Sequence, residues 1–76
     1  MAKRKLDLTE QEIAAFQRAE QETRDVRELK RLQAVRLYGT GEAVETIQKV
    51  VGCGPISPAQ WAMDYRRGGL AALQSR

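Results

Sequence analysis

The chain has 76 residues, of which 42% are apolar, 30% charged and 5% aromatic, and its 13 Lys+Arg against 10 Asp+Glu give a formal net charge of +3. A chain this short buries only about 60% of its unfolded surface. That limits it to one small-cored domain with little room for a deep substrate cleft or a cofactor domain. The apolar content is too high for a disordered chain, and no apolar run approaches the roughly 20 residues that span a bilayer.

Residues 1–8 read as a basic tip carrying Lys3, Arg4 and Lys5. The Leu6-Asp7-Leu8 that follows lacks the apolar stretch of a signal peptide. Residues 9–73 read as the domain. Thr9 and Glu12 have the spacing of a capping box, and Leu8 and Ile13 that of a hydrophobic staple. The first helix therefore starts at Thr9, carries Ile13, Phe16 and Ala19 or Ala15 on one face, and runs to about Gln21. Residues 20–24 contain no apolar side chain and predict a bend. An uninterrupted helix from Thr9 to Tyr38 is the alternative, since neither Gly nor Pro breaks it. Asp25 and Glu28 make a weaker capping box, followed by Val26, Leu29, Leu32, Val35, Leu37 and Tyr38 at mostly helical spacing. Gly39-Thr40-Gly41 ends this second helix, with Gly39 suited to the left-handed position after it.

The third helix is short, from Glu42 to Val51, with Val44, Ile47, Val50 and Val51 forming one stripe. Gly52-Cys53-Gly54-Pro55 forces a turn. Cys53 reads as a small packed side chain. As the only cysteine it forms no internal disulfide, which fits a reducing cytoplasm. With no histidine in the chain, Cys-His and Ser-His nucleophile pairs are excluded, and so is a zinc site. Asp7, Asp25 and Asp64 are scattered rather than paired for acid-base work. The chain is thus expected to be no enzyme, to hold no metal or cofactor, and to take no small-molecule substrate. Ser57-Pro58-Ala59-Gln60 starts the fourth helix, with Ser57 as the cap and Pro58 at the first helical position. It runs to about Arg67 and stops at Gly68-Gly69, and Leu70 and Leu73 anchor a tail that folds back. No segment alternates as a strand does. The class is all-α: a small four-helix, homeodomain-like domain whose last two helices form a helix-turn-helix.

That layout is what carries a function. Ile47 and Val51 on the third helix, with Trp61 and Tyr65 on the fourth, form an apolar wedge that holds the fourth helix proud of the body. A helix so held fits the major groove of DNA, about 12 Å wide. With Trp61 and Tyr65 inward, the outward arc carries Ala59, Gln60, Met63, Arg66 and Arg67. The Gln60 amide suits an adenine edge and Met63 a thymine methyl, while Arg66 and Arg67 suit phosphate or guanine. Arg24, Arg27 and Arg31 recur along the preceding helix, and with Lys3, Arg4 and Lys5 they line the phosphate backbone in this reading.

Three stretches carry a family resemblance: Arg31 to Gly39, Ile47 to Gly52, and Trp61 to Leu73 with its Tyr-Arg-Arg-Gly-Gly-Leu-Ala-Ala-Leu ending. Together with the Leu8-Thr9-Glu10-Gln11-Glu12 opening, they resemble the N-terminal helix-turn-helix domain of bacterial insertion-sequence transposases of mariner-like organisation. The resemblance implies recognition of double-stranded DNA at transposon ends. It makes Ile47, Val51, Trp61, Leu70 and Leu73 framework and puts residues 55–60, Ser57 among them, at the groove. The chain departs from the family at Gln48, where a small Ala is usual, at Pro58, where a β-branched core residue is usual, and at Asp64, a position commonly basic. Such transposases carry a downstream nuclease domain with an acidic triad. None lies in these residues, and no strand-transfer chemistry is expected of them.

A single module of this kind gains useful specificity from a second module or a homodimer. The rival reading is a protein-interaction module, a dimerising helical hairpin in which Leu29, Leu32 and Val35 pair between chains. An RNA-binding domain lacks an aromatic platform to support it.

Overall fold

The computed structural model describes residues 7–54 and 56–74, so Lys3, Arg4 and Lys5 of the basic tip and Pro55 of the turn lie outside the described residues. Helix α1 spans Glu10–Glu22, α2 Val26–Gly39, α3 Val44–Val51 and α4 Ser57–Gly68, and a 3-10 turn at Leu70–Ala72 follows them. There is no strand among the described residues. The domain is all-α with four helices, and its radius of gyration of 11.3 Å matches the roughly 11 Å of a folded chain this long. None of its described helices is long and apolar enough to cross a membrane.

The helix starts follow local hydrogen bonding. Thr9 Oγ1 accepts the Glu12 N–H at 3.1 Å, and Glu12 Oε1 accepts the Thr9 N–H at 3.0 Å, closing the capping box. Thr23 is extended (φ −78°, ψ 145°), so the chain bends there and the single long helix is not formed. Asp25 Oδ1 accepts the N–H groups of Arg27 (2.8 Å) and Glu28 (3.4 Å). The reciprocal half expected of Glu28 falls instead to Thr23, whose Oγ1 accepts the Asp25 N–H at 3.2 Å.

Three boundaries differ from expectation. Gly39 is the last residue of α2 and the left-handed residue is Gly41 (φ +98°). Gly39 is buried, and its carbonyl accepts the Leu8 N–H at 3.2 Å. The segment entering α1 thus holds Gly39 in place, and the reversal is displaced two residues on. Helix α3 begins at Val44 rather than Glu42, because the Glu42 N–H still belongs to that reversal, donating to the Leu37 carbonyl at 3.0 Å. Ser57 is not a cap: the Gln60 N–H bonds the Ile56 carbonyl at 3.1 Å, which starts the ladder one residue earlier and leaves α4 without a side-chain cap. Pro58, one position into the helix, is fully buried.

Helix α2 is the centre of the molecule. Its Leu32 and Val35 join Leu8, Phe16, Ala62 and Leu73 in one apolar cluster, and its Ala34 joins Ile47 and Val51 in another. Tyr38 and Trp61 pack against both clusters and make them one continuous core. Each large side chain so buried contributes about 1.5–3 kcal/mol. Two polar links hold the periphery. Glu20 takes both Arg36 Nε (2.6 Å) and Nη2 (3.2 Å), tying α1 to α2. Arg31 Nε donates to the Leu73 carbonyl at 2.9 Å, tying the tail to α2.

Candidate nucleic-acid interface

Helix α4 has two opposed faces. Pro58 and Ala62 are buried, Trp61 and Tyr65 half-buried, and these four lie on the side packed chiefly against α2. Half a turn away, Ile56, Gln60, Met63 and Arg67 follow one another at spacings of four, three and four, and all four are exposed. Ile56 keeps 76% of its surface in water and Met63 49%. Ser57 and Ala59 are half-buried, off the exposed stripe. Arg66 is exposed on its flank. It borders an open depression of about 450 Å³ with Asp7, Glu12, Tyr65 and Gly69, so part of its charge faces acids. Arg67 is therefore the cation on the stripe itself, and Gln60 Nε2 donates to Asp64 Oδ1 at 3.5 Å along the same helix.

The support behind α4 differs from the expected wedge. Trp61 does pack with Ile47 and Val51, as expected. Tyr65 does not: it turns to α1, with its ring 4.9 Å from that of Phe16 and tilted by 53°, and its hydroxyl donates to Glu12 Oε2 at 2.7 Å. One turn of helix separates the two aromatics and points them at different neighbours. Helix α2 thus carries more of α4 than does its short predecessor, and α1 adds the Tyr65 contact. Burial, together with the Glu12 carboxylate, pushes the Tyr65 phenol up to about 12. The Thr9 N–H, helped by the Tyr65 hydroxyl, draws Glu12 below the ordinary carboxylate value. Gly52, with φ +79° and ψ 40°, sits in the left-handed region that lets α3 end and the chain turn toward α4.

The arginines expected along the second helix do not form one face. Arg24 lies in the bend before α2, beside Glu22, Asp25 and Glu28 at an open depression. Arg27 is exposed in the first turn, and Arg31 is half-buried and holds the tail. Their three- and four-residue spacing is helical, but the helix begins after the first of them, and the carbonyl that Arg31 meets is 42 residues distant in sequence. The exposed Ile56 escapes the sequence pattern because a residue before a Ser-Pro start reads as loop. Lys30 on α2 and Lys49 on α3 are further exposed cations outside the expected set.

Among the described residues, no three His, Cys, Asp or Glu side chains gather in a way that would hold a metal ion. Cys53 is half-buried against the Ile47–Val51 cluster. Compared with family models, with curated proteins and with solved structures, the chain gives no match to any of the three.

Proposed function

We propose that α3, the Gly52 turn and α4 act as a helix-turn-helix, and that the domain binds double-stranded DNA with the exposed stripe of α4 in the major groove. This is the role of the transposase end-recognition domain that the sequence resembles. One observation carries it: the face of α4 that bears Gln60, Met63 and Arg67 is left open, while its other face is fixed from behind by the core. A helix is about 10–12 Å across with its side chains, and the groove is about 12 Å wide, so a helix mounted on a rigid body enters without rearrangement. Gln60 and Met63 reach base edges, and Arg66 and Arg67, at the end of the helix, reach flanking phosphates. Two copies on two half-sites would supply the specificity that one small module lacks. The rival hairpin is disfavoured, because Leu32 and Val35, two of its three seam residues, are fully buried in the chain's own core, and only Leu29 is half-exposed.

The test is an anisotropy titration with duplex DNA across a series of salt concentrations, for the native chain and Arg66→Ala/Arg67→Ala. The slope of log K on log salt falls by about 0.9 for each phosphate that is no longer neutralised. The double variant should therefore flatten the slope by up to about 1.8. An unchanged slope and affinity would remove the α4 arginines from the interface.

A further inference from the structure

The open stripe of α4 has a composition more specific than its charge. Two exposed apolar side chains, Ile56 and Met63, flank one exposed amide, Gln60, and all three occupy one line on the helix. Exposed apolar side chains on so small a domain gain nothing where they are. A base pair that offers them a methyl group would remove them from water. Thymine is the base with a C5 methyl in the major groove, and its partner adenine offers N7 and N6, the pair an amide meets with two hydrogen bonds. Asp64 prepares that amide. A carboxylate accepts hydrogen bonds, and its Oδ1 lies 3.5 Å from Gln60 Nε2, a long contact that favours the amide turned with Nε2 toward Asp64. An amide paired in this way still has a second Nε2 hydrogen and Oε1 to offer, the donor and acceptor an adenine edge requires.

Resting on the DNA-binding reading above, we infer that Ile56, Gln60 and Met63 select A·T base pairs through the thymine methyl and the adenine edge, with Asp64 as the residue that positions Gln60. The half-buried acid beside the stripe thereby acquires a reason: its repulsion of the duplex is exchanged for discrimination. Arg67 on the same stripe gives the attraction that keeps the face on the duplex.

Three short duplexes of about two helical turns separate the possibilities: alternating A·T, the same with deoxyuridine in place of thymidine, and alternating G·C. Uracil differs from thymine by the methyl alone. The native chain should bind A·T tighter than A·U by about fourfold for each methyl it covers, and A·T tighter than G·C by more. Ile56→Ala and Met63→Ala, both at exposed positions, should abolish the A·T over A·U difference and keep binding to G·C. Asp64→Ala should raise affinity for all three duplexes, since a negative charge is gone, and yet narrow the A·T over G·C ratio. If Asp64 acted only by charge, the ratio would stay fixed, and its positioning role would be overturned. Equal binding of A·T and A·U by the native chain would overturn methyl recognition and leave DNA binding standing. Failure to bind any duplex at low salt would overturn both.

Discussion

Tyr65 and Glu12 form a small titrating pair whose behaviour follows from geometry. The phenol is raised to about 12, so the folded state holds its proton more tightly than the unfolded state does. Its contribution is present below about pH 10 and is lost as pH climbs through about 12. Glu12 is lowered, so its contribution is present above the ordinary carboxylate value and is lost as pH falls through its own lower one. Tyr65→Phe deletes the hydroxyl and keeps the ring on Phe16. It should cost about 1 kcal/mol at neutral pH and remove the alkaline limb of stability between about pH 10 and 12. Urea midpoints across that range measure it; an unaltered alkaline limb would show that another group carries the loss. Arg36 is the second residue-scale case. Its partner Glu20 has only 11% of its side chain exposed. Arg36→Met should cost about 1–3 kcal/mol by leaving a largely dehydrated carboxylate unpaired, whereas Arg36→Met/Glu20→Leu should recover much of that.

Among the elements, the stops of α1, α3 and α4 lie within a residue of where the sequence puts them, whereas the starts of α3 and α4 do not coincide with the expected ones. Thr9 and Glu12 close their capping box as the spacing predicts, whereas Asp25 accepts its two N–H donors without the return bond expected of Glu28. The stop at Gly39 is displaced because its carbonyl is bound by Leu8, a contact across 31 residues that no local pattern encodes. The same holds for Tyr65, whose inward direction is readable and whose neighbour is not, and for Arg31, whose bond to the Leu73 carbonyl joins residues far apart in sequence. The outward identity of Gln60, Met63, Arg66 and Arg67 is readable because helical periodicity alone decides it once Trp61 is placed inward. Gly52 is where an element boundary is most exposed to change. A Cβ there meets nothing within 4 Å, so Gly52→Ala costs only the left-handed backbone, about 1–2 kcal/mol. Thermal unfolding should register that loss while α3 and α4 keep their packing. A neutral substitution would mean the turn has shifted out of the left-handed region.

At the scale of the whole molecule, the two apolar clusters share α2, Tyr38 and Trp61, so neither can dissolve alone. Total stability for a chain of this size is about 4–11 kcal/mol, and the tail holds a share of it. Leu73 is fully buried, four residues from the glycine that follows α4, with its carbonyl on Arg31. Leu73→Ala should therefore cost about 2–5 kcal/mol, and Trp61 fluorescence and far-UV dichroism should fall together in denaturant. Separate transitions would show that the clusters are independent units. The fourth helix as a presented surface depends on this shared core, which keeps one side of it occupied and the other open. The most direct measurement is a set of amide NMR spectra recorded while duplex DNA is added to the native chain. Shifts concentrated on residues 56–68 and the preceding turn, with the outer face of α1 at Gln17, Arg18 and Gln21 undisturbed, are the predicted result. Shifts gathered on α1 or spread evenly over the basic side chains, with Gln60, Met63 and Arg67 unmoved, would contradict it.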